Sequence, residues 1–552
     1  MLFNKKISRF FQYSLVFSLI LITYLYIYIR DFIFVGNKYK NIIILIIITL
    51  SFLIWLFEDK VINKYIKEAI SFFTILFLIN QSYFYAGPGL IGNEVRYLGR
   101  ALINNFNFSS YLYKTVEDPA MYFTYVIKPF TYLAIPTNNF LIMRIVFILF
   151  TTICFFKLCN SLKTNKIFFL IFLYWFYQKQ ALFGGNNFFG QIQARHIFYS
   201  LFLLFISYAL DKKINKLFYT SFLMALIHLG EFIIILPILI FIIFNNFTFN
   251  EVLSFFKLKK NLLLFLISFF MILYNVLNYF FEPKDYNSIK HFVDTRFPQH
   301  VRPYDNLSTN PFDFVDSFGW SADFKHFYYY LIFILLLVFI KTLRNKILIY
   351  TVFSGLTIIF YFYILFYFQY SEFAVLGPYR VAGVFTIFAK LSIILFFDLL
   401  FKKLNTKFTN ISQQNWLTSI FILVIIFLAA YKFFLIDEEK YFGMFLSFNA
   451  KNELVEELKN LSPEYFIYNA DLDSEINYLE SVSGVPNYVS YKLAPHNLNY
   501  YKEWLERYKT VQALDCELFS NFNIVYLTKI KNNFCDLKFY KVIDSFYIYT
   551  NY

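Results

Sequence analysis

The sequence has little cysteine and lacks the motifs that define several common classes of soluble enzyme. Its 552 residues include four cysteines, which carry no disulfide-framework pattern. The G-x-S-x-G, P-loop and H-E-x-x-H patterns are absent. Hydrolase, nucleoside-triphosphatase and metalloprotease functions that depend on those patterns therefore have no support in the sequence.

Charged residues are scarce as well, at 16%, whereas hydrophobic residues make up 59% of the chain. This composition is too apolar for a surface solvated by water. Apolar runs of about 15–24 residues recur and match the roughly 30 Å hydrocarbon core of a bilayer. We therefore predict a polytopic α-helical membrane protein with about 11–13 transmembrane segments. The predicted spans lie near 11–29, 41–57, 69–86, 138–156, 167–183, 197–210, 261–281, 326–340, 347–369, 381–400 and 416–436.

The N-terminal segment and every second short connector fall on the same side of the predicted membrane domain. Each of them carries three lysine or arginine residues. Such loops stay on the cytoplasmic side of a membrane, so the N-terminus is predicted to be cytoplasmic. The net charge of +14 then reflects topology and contact with anionic lipid rather than nucleic-acid binding. The clusters are Lys5/Lys6/Arg9, Lys60/Lys64/Lys67, Lys157/Lys163/Lys166, Lys212/Lys213/Lys216, Lys257/Lys259/Lys260, Lys341/Arg344/Lys346 and Lys402/Lys403/Lys407.

The apolar stretch 217–244 predicts two short helices that meet near His228-Leu229-Gly230-Glu231. As a single span it would place three basic clusters outside. As a re-entrant pair it returns to the side from which it started, so the later basic clusters stay on the cytoplasmic side. Each half has about 13 residues and a length near 20 Å. Backbone that turns at membrane depth needs surrounding protein or a water-filled cavity. The pair therefore predicts His228 and Glu231 at the floor of an outward-facing cavity.

Four connectors are predicted to lie outside the cytoplasm: 87–137, 184–196, 282–325 and 370–380. In the first, an apolar segment interrupted by prolines is expected to lie along the outer surface. After the last span, short helices and strands alternate, which predicts a membrane domain over 1–436 and a small exterior α/β domain over 437–552. The predicted tail helices are 449–460, 473–482 and Leu498–Tyr508, and the predicted strands are Tyr465–Tyr468, Tyr488–Tyr491, Ile524–Leu527 and Tyr547–Tyr549.

The exterior parts of the chain hold the candidate catalytic carboxylates. Glu94 and Asp118 lie in the first exterior loop, and a carboxylate just beyond a span can act as a general base or hold a divalent cation. The alternative is a solvated acid neutralised by a nearby arginine. No tight triplet of His, Cys and Asp predicts a zinc site. Cys516 and Cys535 both fall in the tail, where an exterior compartment permits a disulfide.

The candidate ligand-binding residues lie near the outer ends of the spans. A charged group such as Glu231 at membrane depth costs about 2.5–3.5 kcal/mol on insertion scales and is usually retained for a purpose; the alternative is that His228 merely caps the hairpin. Arg195 and Arg380 each open a span from outside. An arginine there can fork onto a phosphate at headgroup level or serve as a snorkelling anchor.

The loop 282–325 contains Arg296, His300 and Arg302 around rigid prolines. This spacing fits a clamp for a phosphorylated or acidic ligand, and it fits a surface turn nearly as well.

The layout resembles the GT-C superfamily of polytopic glycosyltransferases, and most closely its uncharacterised bacterial members. Those proteins carry an Arg-x-Pro-His-His-like motif before the late spans, which is similar to Arg296-Phe297-Pro298-Gln299-His300 with Gln in place of the first His. They also carry a Trp-x-x-Arg and an Asp-Cys in an exterior tail, similar to Trp504-Leu505-Glu506-Arg507 and Asp515-Cys516. The early loop acid of the superfamily is usually Asp, often paired, whereas this chain has Asn93-Glu94.

The resemblance implies transfer of a sugar from a polyprenyl-phosphate donor to an acceptor on the exterior face of a bacterial inner membrane. Glu94 or Asp118 would deprotonate the acceptor hydroxyl or bind a cation. Arg380, with Arg296 or Arg302, would neutralise the leaving phosphate.

Two other classes of function stay open at the level of sequence. Broken helices with a buried His and Glu also suit a transporter or flippase of lipid-linked or small polar solutes, although the two halves show no inverted repeat. A non-catalytic envelope scaffold is the third possibility. The sequence does not decide whether the protein is an enzyme, and it does not indicate an oligomeric state.

Overall fold

The computed structural model describes residues 121–129, 136–164, 193–281, 346–368, 381–407, 453–468, 479–489, 498–513, 516–531, 537–543 and 545–551, and the single positions 472, 476 and 535. The predicted spans 11–29, 41–57, 69–86, 167–183, 326–340 and 416–436 lie outside these residues.

Most of the described residues are helical, and one sheet accompanies them. The helices before the tail are α1 (Met121–Ile127), α2 (Pro136–Leu162), α3 (Ala194–Leu210), α4 (Ile214–Ile227), α5 (Leu229–Asn246), α6 (Phe249–Lys257), α7 (Lys259–Phe281), α8 (Lys346–Phe368) and α9 (Val381–Lys407). Five of these, α2, α3, α7, α8 and α9, cover predicted spans. These five helices form where apolar runs are long, as the sequence pattern predicts.

The stretch 217–244 does form two helices, α4 and α5, and the chain breaks between them at His228. The backbone of His228 has φ −152° and ψ 87°, outside the helical region. α5 has 18 residues, about 27 Å, and is therefore longer than the 13 residues predicted for each half. Pro237 lies inside α5 without ending it, and the Tyr361 hydroxyl donates a hydrogen bond of 2.8 Å to the nearby Ile234 carbonyl.

The contacts between helices define their relative directions. The ring of His196, near the start of α3, packs on Phe147 in α2. Further along both helices, Lys157 pairs with Asp211 at 2.6 Å. α2 and α3 therefore run in the same direction, and both end at the Lys157 end of the bundle.

α4 and α5 then form an antiparallel pair. α4 brings His228 back to Phe198 near the start of α3, with ring centroids 6.3 Å apart. α5 returns to the opposite end, where Lys346 donates to the Asn246 side chain at 2.6 Å. Asn261, at the start of α7, accepts a hydrogen bond from Tyr219 of α4.

These directions bring four of the predicted basic clusters to one end of the described bundle. The clusters are represented by Lys157, Lys213, Lys260 and Lys346. Arg195 and His228 lie at the other end. We call these the lysine end and the arginine end.

The helices turn many large apolar side chains outward. On α5, Leu236, Ile240 and Phe244 recur every four residues and are 36%, 44% and 55% exposed. Many of the small hydroxyl side chains, in contrast, face inward; Thr351 in α8 and Ser392 in α9, for example, lie 2.8 Å apart and are buried. Such an outward apolar surface is unusual for a protein surrounded by water.

By length and composition, one helix among the described residues, α5, meets the requirement for crossing a membrane. Shorter apolar segments of 10–17 residues lie within α2, α3, α4, α8 and α9. The described part of the chain therefore does not confirm a polytopic membrane protein, and the eleven spans stay a prediction.

The tail forms a four-stranded mixed sheet of β1 (Tyr465–Tyr468), β2 (Ile524–Thr528), β3 (Lys538–Ile543) and β4 (Phe546–Thr550), in the order β1-β2-β4-β3. β1 and β2 are parallel, whereas β4 pairs antiparallel with both β2 and β3. The predicted strands at β1, β2 and β4 are present. The strand predicted at 488–491 is wrong over its described residues, because only Asn487 next to it forms a single bridge with Phe466. β3 was not predicted, since most of its side chains are exposed at the sheet edge.

Helices pack around this sheet to form a second apolar core. They are α10 (453–461), α11 (Leu479–Ser483), α12 (Leu498–Ala513) and α13 (Cys516–Asn521). Residues 516 and 535 are joined as a Cys516–Cys535 disulfide. Cys154 and Cys159 in α2 are free and buried.

Candidate functional site

Three of the predicted site residues lie in the described chain, and the structure brings them together. They are Arg195 at the start of α3 and His228 and Glu231 at the start of α5. The remaining candidates, Glu94, Asp118, Arg296, His300, Arg302 and Arg380, lie outside the described residues.

Arg195 and Glu231 form an ion pair at the arginine end. The Arg195 Nε and the Glu231 Oε1 are 2.9 Å apart, and the two side chains are 14% and 1% exposed. The second carboxylate oxygen, Oε2, accepts a hydrogen bond of 3.1 Å from the Tyr199 hydroxyl. Tyr199 lies one helical turn after Arg195, so a single face of α3 supplies both groups that hold the Glu231 carboxylate.

His228 caps the helix that carries Glu231. Its Nδ1 accepts a hydrogen bond of 3.2 Å from the Glu231 backbone N–H, which satisfies one of the first N–H groups of α5 that have no partner within the helix. Because Nδ1 accepts, the neutral imidazole carries its proton on Nε2. His228 therefore caps the hairpin, as the alternative interpretation of the sequence predicted. The same hydrogen bond fixes the position of Glu231.

The first turns of α3 and α5 meet at this site. Each helix N-terminus carries roughly half a positive charge, and a carboxylate is stabilised there whereas a guanidinium is not. The N-terminus of α5 therefore stabilises the negative charge of Glu231. The nearby Glu231 carboxylate in turn offsets the electrostatic repulsion between Arg195 and the N-terminus of α3. Together, two helix ends, one guanidinium and one carboxylate leave a local excess of about one positive charge.

The Arg195 guanidinium is paired with Glu231 through its Nε atom. The closest approach to Glu231 is made by Nε, and no hydrogen bond or ion pair joins Arg195 to any other described residue. A guanidinium held through Nε can present its two terminal nitrogens as a fork to a planar or tetrahedral anion. Such a geometry is chemically suited to a phosphate or a carboxylate of a ligand.

A buried hydroxyl–imidazole cluster that the sequence did not predict lies next to this site. Thr151 donates to the Phe147 carbonyl, so its oxygen accepts from His196 Nε2, 2.6 Å away. The Ser200 hydroxyl lies 2.8 Å from the same Thr151 oxygen. The i, i+4 spacing of His196 and Ser200 indicates that the two side chains share one face of a helix. Thr151 belongs to another helix, and nothing in the sequence places it beside them.

Two buried ionisable residues in α9 were also missed. Lys390 and Asp398 are 3% and 2% exposed and lie inside the predicted span 381–400. An ionisable residue within a predicted span is by itself a signal of function or of a buried pair. Lys390 and Asp398 carry this signal in the sequence itself.

The tail motif Trp504-Leu505-Glu506-Arg507 is accounted for by packing. Trp504 is 2% exposed and stacks on Tyr508, with ring centroids 5.1 Å apart. The Arg507 guanidinium lies 4.8 Å from the Tyr488 ring centroid and pairs with Glu503 at 2.7 Å. These contacts stabilise the fold of the tail.

Comparison of the chain with protein-family models, with curated proteins and with solved structures gave no match. Among the described residues, no group of three His, Cys, Asp or Glu side chains is arranged to hold a metal ion.

Proposed function

We propose that this chain is a polytopic membrane protein of the glycosyltransferase type, which binds a polyprenyl-phosphate sugar at the arginine end and transfers the sugar to an exterior acceptor. The observation that carries the proposal is the Arg195–Glu231 pair. It places a guanidinium, paired through Nε, at the meeting point of two helix N-termini, where an anionic group would bind.

The outward apolar side chains support a membrane location. Leu236, Ile240 and Phe244 form one exposed stripe on α5, and α7 exposes a further set that includes Leu263, Phe270 and Tyr274. In water these surfaces would favour aggregation, whereas lipid tails solvate them at no such cost. The buried hydroxyl pairs between helices are typical of packing within a bilayer.

The two ends of the bundle support the proposed orientation. Basic clusters gather at the lysine end, which is the expected cytoplasmic side. The disulfide in the tail is typical of an oxidising, exterior compartment. Together these features favour an arginine end that faces the outside.

In the proposed transfer, the acceptor oxygen attacks the anomeric carbon of the donor sugar and forms the new C–O bond. The bond from that carbon to the phosphate oxygen breaks, and its electron pair leaves with the phosphate. Glu94 or Asp118 takes the acceptor proton. Negative charge grows on the leaving phosphate, where Arg195, joined by Arg380 and the arginines of 282–325, would stabilise it.

The phosphate interaction is testable with the variant Arg195→Lys. The lysine keeps the charge opposite Glu231 but cannot form the fork. We expect affinity for a polyprenyl phosphate, measured by native mass spectrometry of the full chain, to fall about 10–100-fold, which corresponds to one charged hydrogen bond. Affinity for the uncharged polyprenol should not change, and Lys213→Gln at the lysine end is the matched control.

Equal binding of the phosphate and the alcohol, or unchanged binding by Arg195→Lys, would contradict the proposed role of Arg195. The transfer step has its own test in cells. With Glu94 as the base, Glu94→Gln abolishes envelope sugar labelling; normal labelling would remove Glu94 from the mechanism and leave Asp118 as the base.

The helix break at His228 favours one second candidate, a transporter or flippase of an anionic lipid-linked solute. In such proteins the N-termini of broken helices point at the anionic group of the substrate. Movement of a fluorescent polyprenyl-phosphate sugar across proteoliposomes, without any sugar transfer, would support this function instead.

A further inference from the structure

We propose that α6 and the lysines that follow it form a surface that binds anionic lipid headgroups at the lysine end. The inference requires the membrane location proposed above, but it does not depend on sugar transfer.

α6 has nine residues, about 13 Å, and is too short to cross a bilayer. Its apolar side chains cover one half of the helix, and its polar side chains cover the other half. Phe249 and Leu253 on the apolar half are 62% and 42% exposed. Asn250 and Ser254 occupy the polar half. A short helix with this division lies in the plane of a membrane interface with its apolar side in the acyl region.

The structure holds α6 firmly against the bundle. Thr248 and Glu251 form a reciprocal capping box at its start, in which each side chain accepts from the other residue's backbone N–H. At its other end, Phe255 is buried and stacks on Phe218 of α4, with ring centroids 4.5 Å apart. The apolar half is therefore only partly covered: Phe255 packs on the bundle, whereas Phe249 and Leu253 stay exposed.

A compact group of positive charge follows the apolar side. Lys257, Lys259 and Lys260 are exposed, and none has an ion-pair partner in the part of the chain that the structure describes. The first acidic residue upstream, Glu251, is already engaged in the capping box. Leu258, between these lysines, is 56% exposed.

The combination of exposed apolar and basic side chains selects an anionic lipid surface as the partner. A nucleic acid or an acidic protein would satisfy the lysines but would leave Phe249, Leu253 and Leu258 in water. An anionic leaflet satisfies both, and each lysine near such a surface strengthens binding about fivefold. For three lysines the expected effect is on the order of 100-fold.

The charge contribution can be tested with the full chain in detergent by titrating phosphatidylglycerol or phosphatidylcholine. In the variant Lys257→Gln/Lys259→Gln/Lys260→Gln, we expect phosphatidylglycerol affinity to fall on the order of 100-fold, with phosphatidylcholine affinity unchanged. The control is a triple lysine-to-glutamine variant in the tail, at Lys509, Lys531 and Lys538, which are exposed. The proposal is wrong if the α6 variant keeps the wild-type preference, or if the control loses it equally.

The apolar contribution has a separate test in lipid nanodiscs. Nitroxide labels on Leu253→Cys and Asn250→Cys report whether each side of α6 contacts oxygen in the acyl region or a water-soluble nickel reagent. We expect acyl contact at position 253 and water contact at position 250. Water contact at both positions refutes the surface proposed for α6.

A third label, on Ile240→Cys, distinguishes failure of the lipid-binding surface from failure of the proposed membrane location. Ile240 belongs to the exposed stripe of α5. If positions 240 and 253 are both accessible from water, the membrane location fails and the inference fails with it. If position 240 contacts lipid and position 253 does not, only the lipid-binding surface is refuted.

Discussion

The stability of the Arg195–Glu231 pair gives the sharpest prediction, because its two members differ in exposure. The Glu231 side chain is 1% exposed and that of Arg195 is 14% exposed. Replacing Arg195 with Met leaves a carboxylate that water cannot reach, and breaking a buried pair in this way costs about 3–5 kcal/mol. Replacing Glu231 with Gln leaves a guanidinium that still reaches solvent, while the new amide oxygen can accept from Tyr199. That change should cost about 1–3 kcal/mol.

The double variant should be less destabilised than the sum of the two single variants. It has lost both charges of the pair, so we expect a coupling energy of about 1–3 kcal/mol. The assay is reversible unfolding of the full chain in mixed detergent and dodecyl-sulfate micelles, followed by circular dichroism. Lys213→Met is the control, because Lys213 forms a more exposed contact with Asp211 at 3.3 Å, worth at most about 1 kcal/mol.

Equal costs for the two single variants, together with additive behaviour in the double variant, would refute the proposed dependence of Arg195 on Glu231. That pattern would mean that the two side chains do not depend on each other. It would also remove the reason for expecting the Arg195 guanidinium to be oriented toward a ligand.

Two further predictions concern the tail and the lysine end. The Cys516–Cys535 disulfide closes a loop with a sequence separation of 19, so Cys535→Ser should lower the free energy of unfolding of the tail by about 3 kcal/mol; an equal transition in reduced and oxidised wild-type protein would contradict this. Although burial raises the pKa of Asp211, hydrogen bonds from Lys157, Ser161 and Lys213 outweigh it and hold that pKa below its usual value. The interactions of the Asp211 carboxylate therefore stabilise the protein above roughly pH 4, and this stabilisation is lost as the pH falls through the folded-state pKa. The difference in melting temperature between wild type and Asp211→Asn should shrink over that range.

The helices were predictable from the sequence because their signal is local. An apolar run such as 261–281 favours helix whatever its neighbours are, and α7 covers it. The break at His228 was predictable for a different reason. The alternation of basic clusters is inconsistent with one span over 217–244, and the order of the loops required two helices.

The errors have identifiable physical causes. β3 has exposed side chains on both faces, because it is the edge of the sheet, so its sequence does not show the alternation that marks a half-buried strand. The apolar residues near Tyr488 were assigned to a strand, but they pack beside β1 instead. α5 exceeds its predicted length because it begins directly after the break at His228 and continues to Asn246, beyond residue 244 where the apolar run was taken to end.

The sequence by itself determined where α2, α3, α7, α8 and α9 lie and which of their ends carry lysine, because apolar runs and basic loops act through nearby residues and the surrounding solvent. Only the tertiary structure decided that Glu231 holds Arg195. The two residues are far apart in the chain, and the helix that carries Glu231 returns to α3 through two reversals. A close contact of that kind depends on how three helices pack, and no local pattern of residues encodes it. The parallel pairing of β1 with β2 was decided in the same way, since the two strands are far apart in the chain and parallel strands are joined by a long crossover connection.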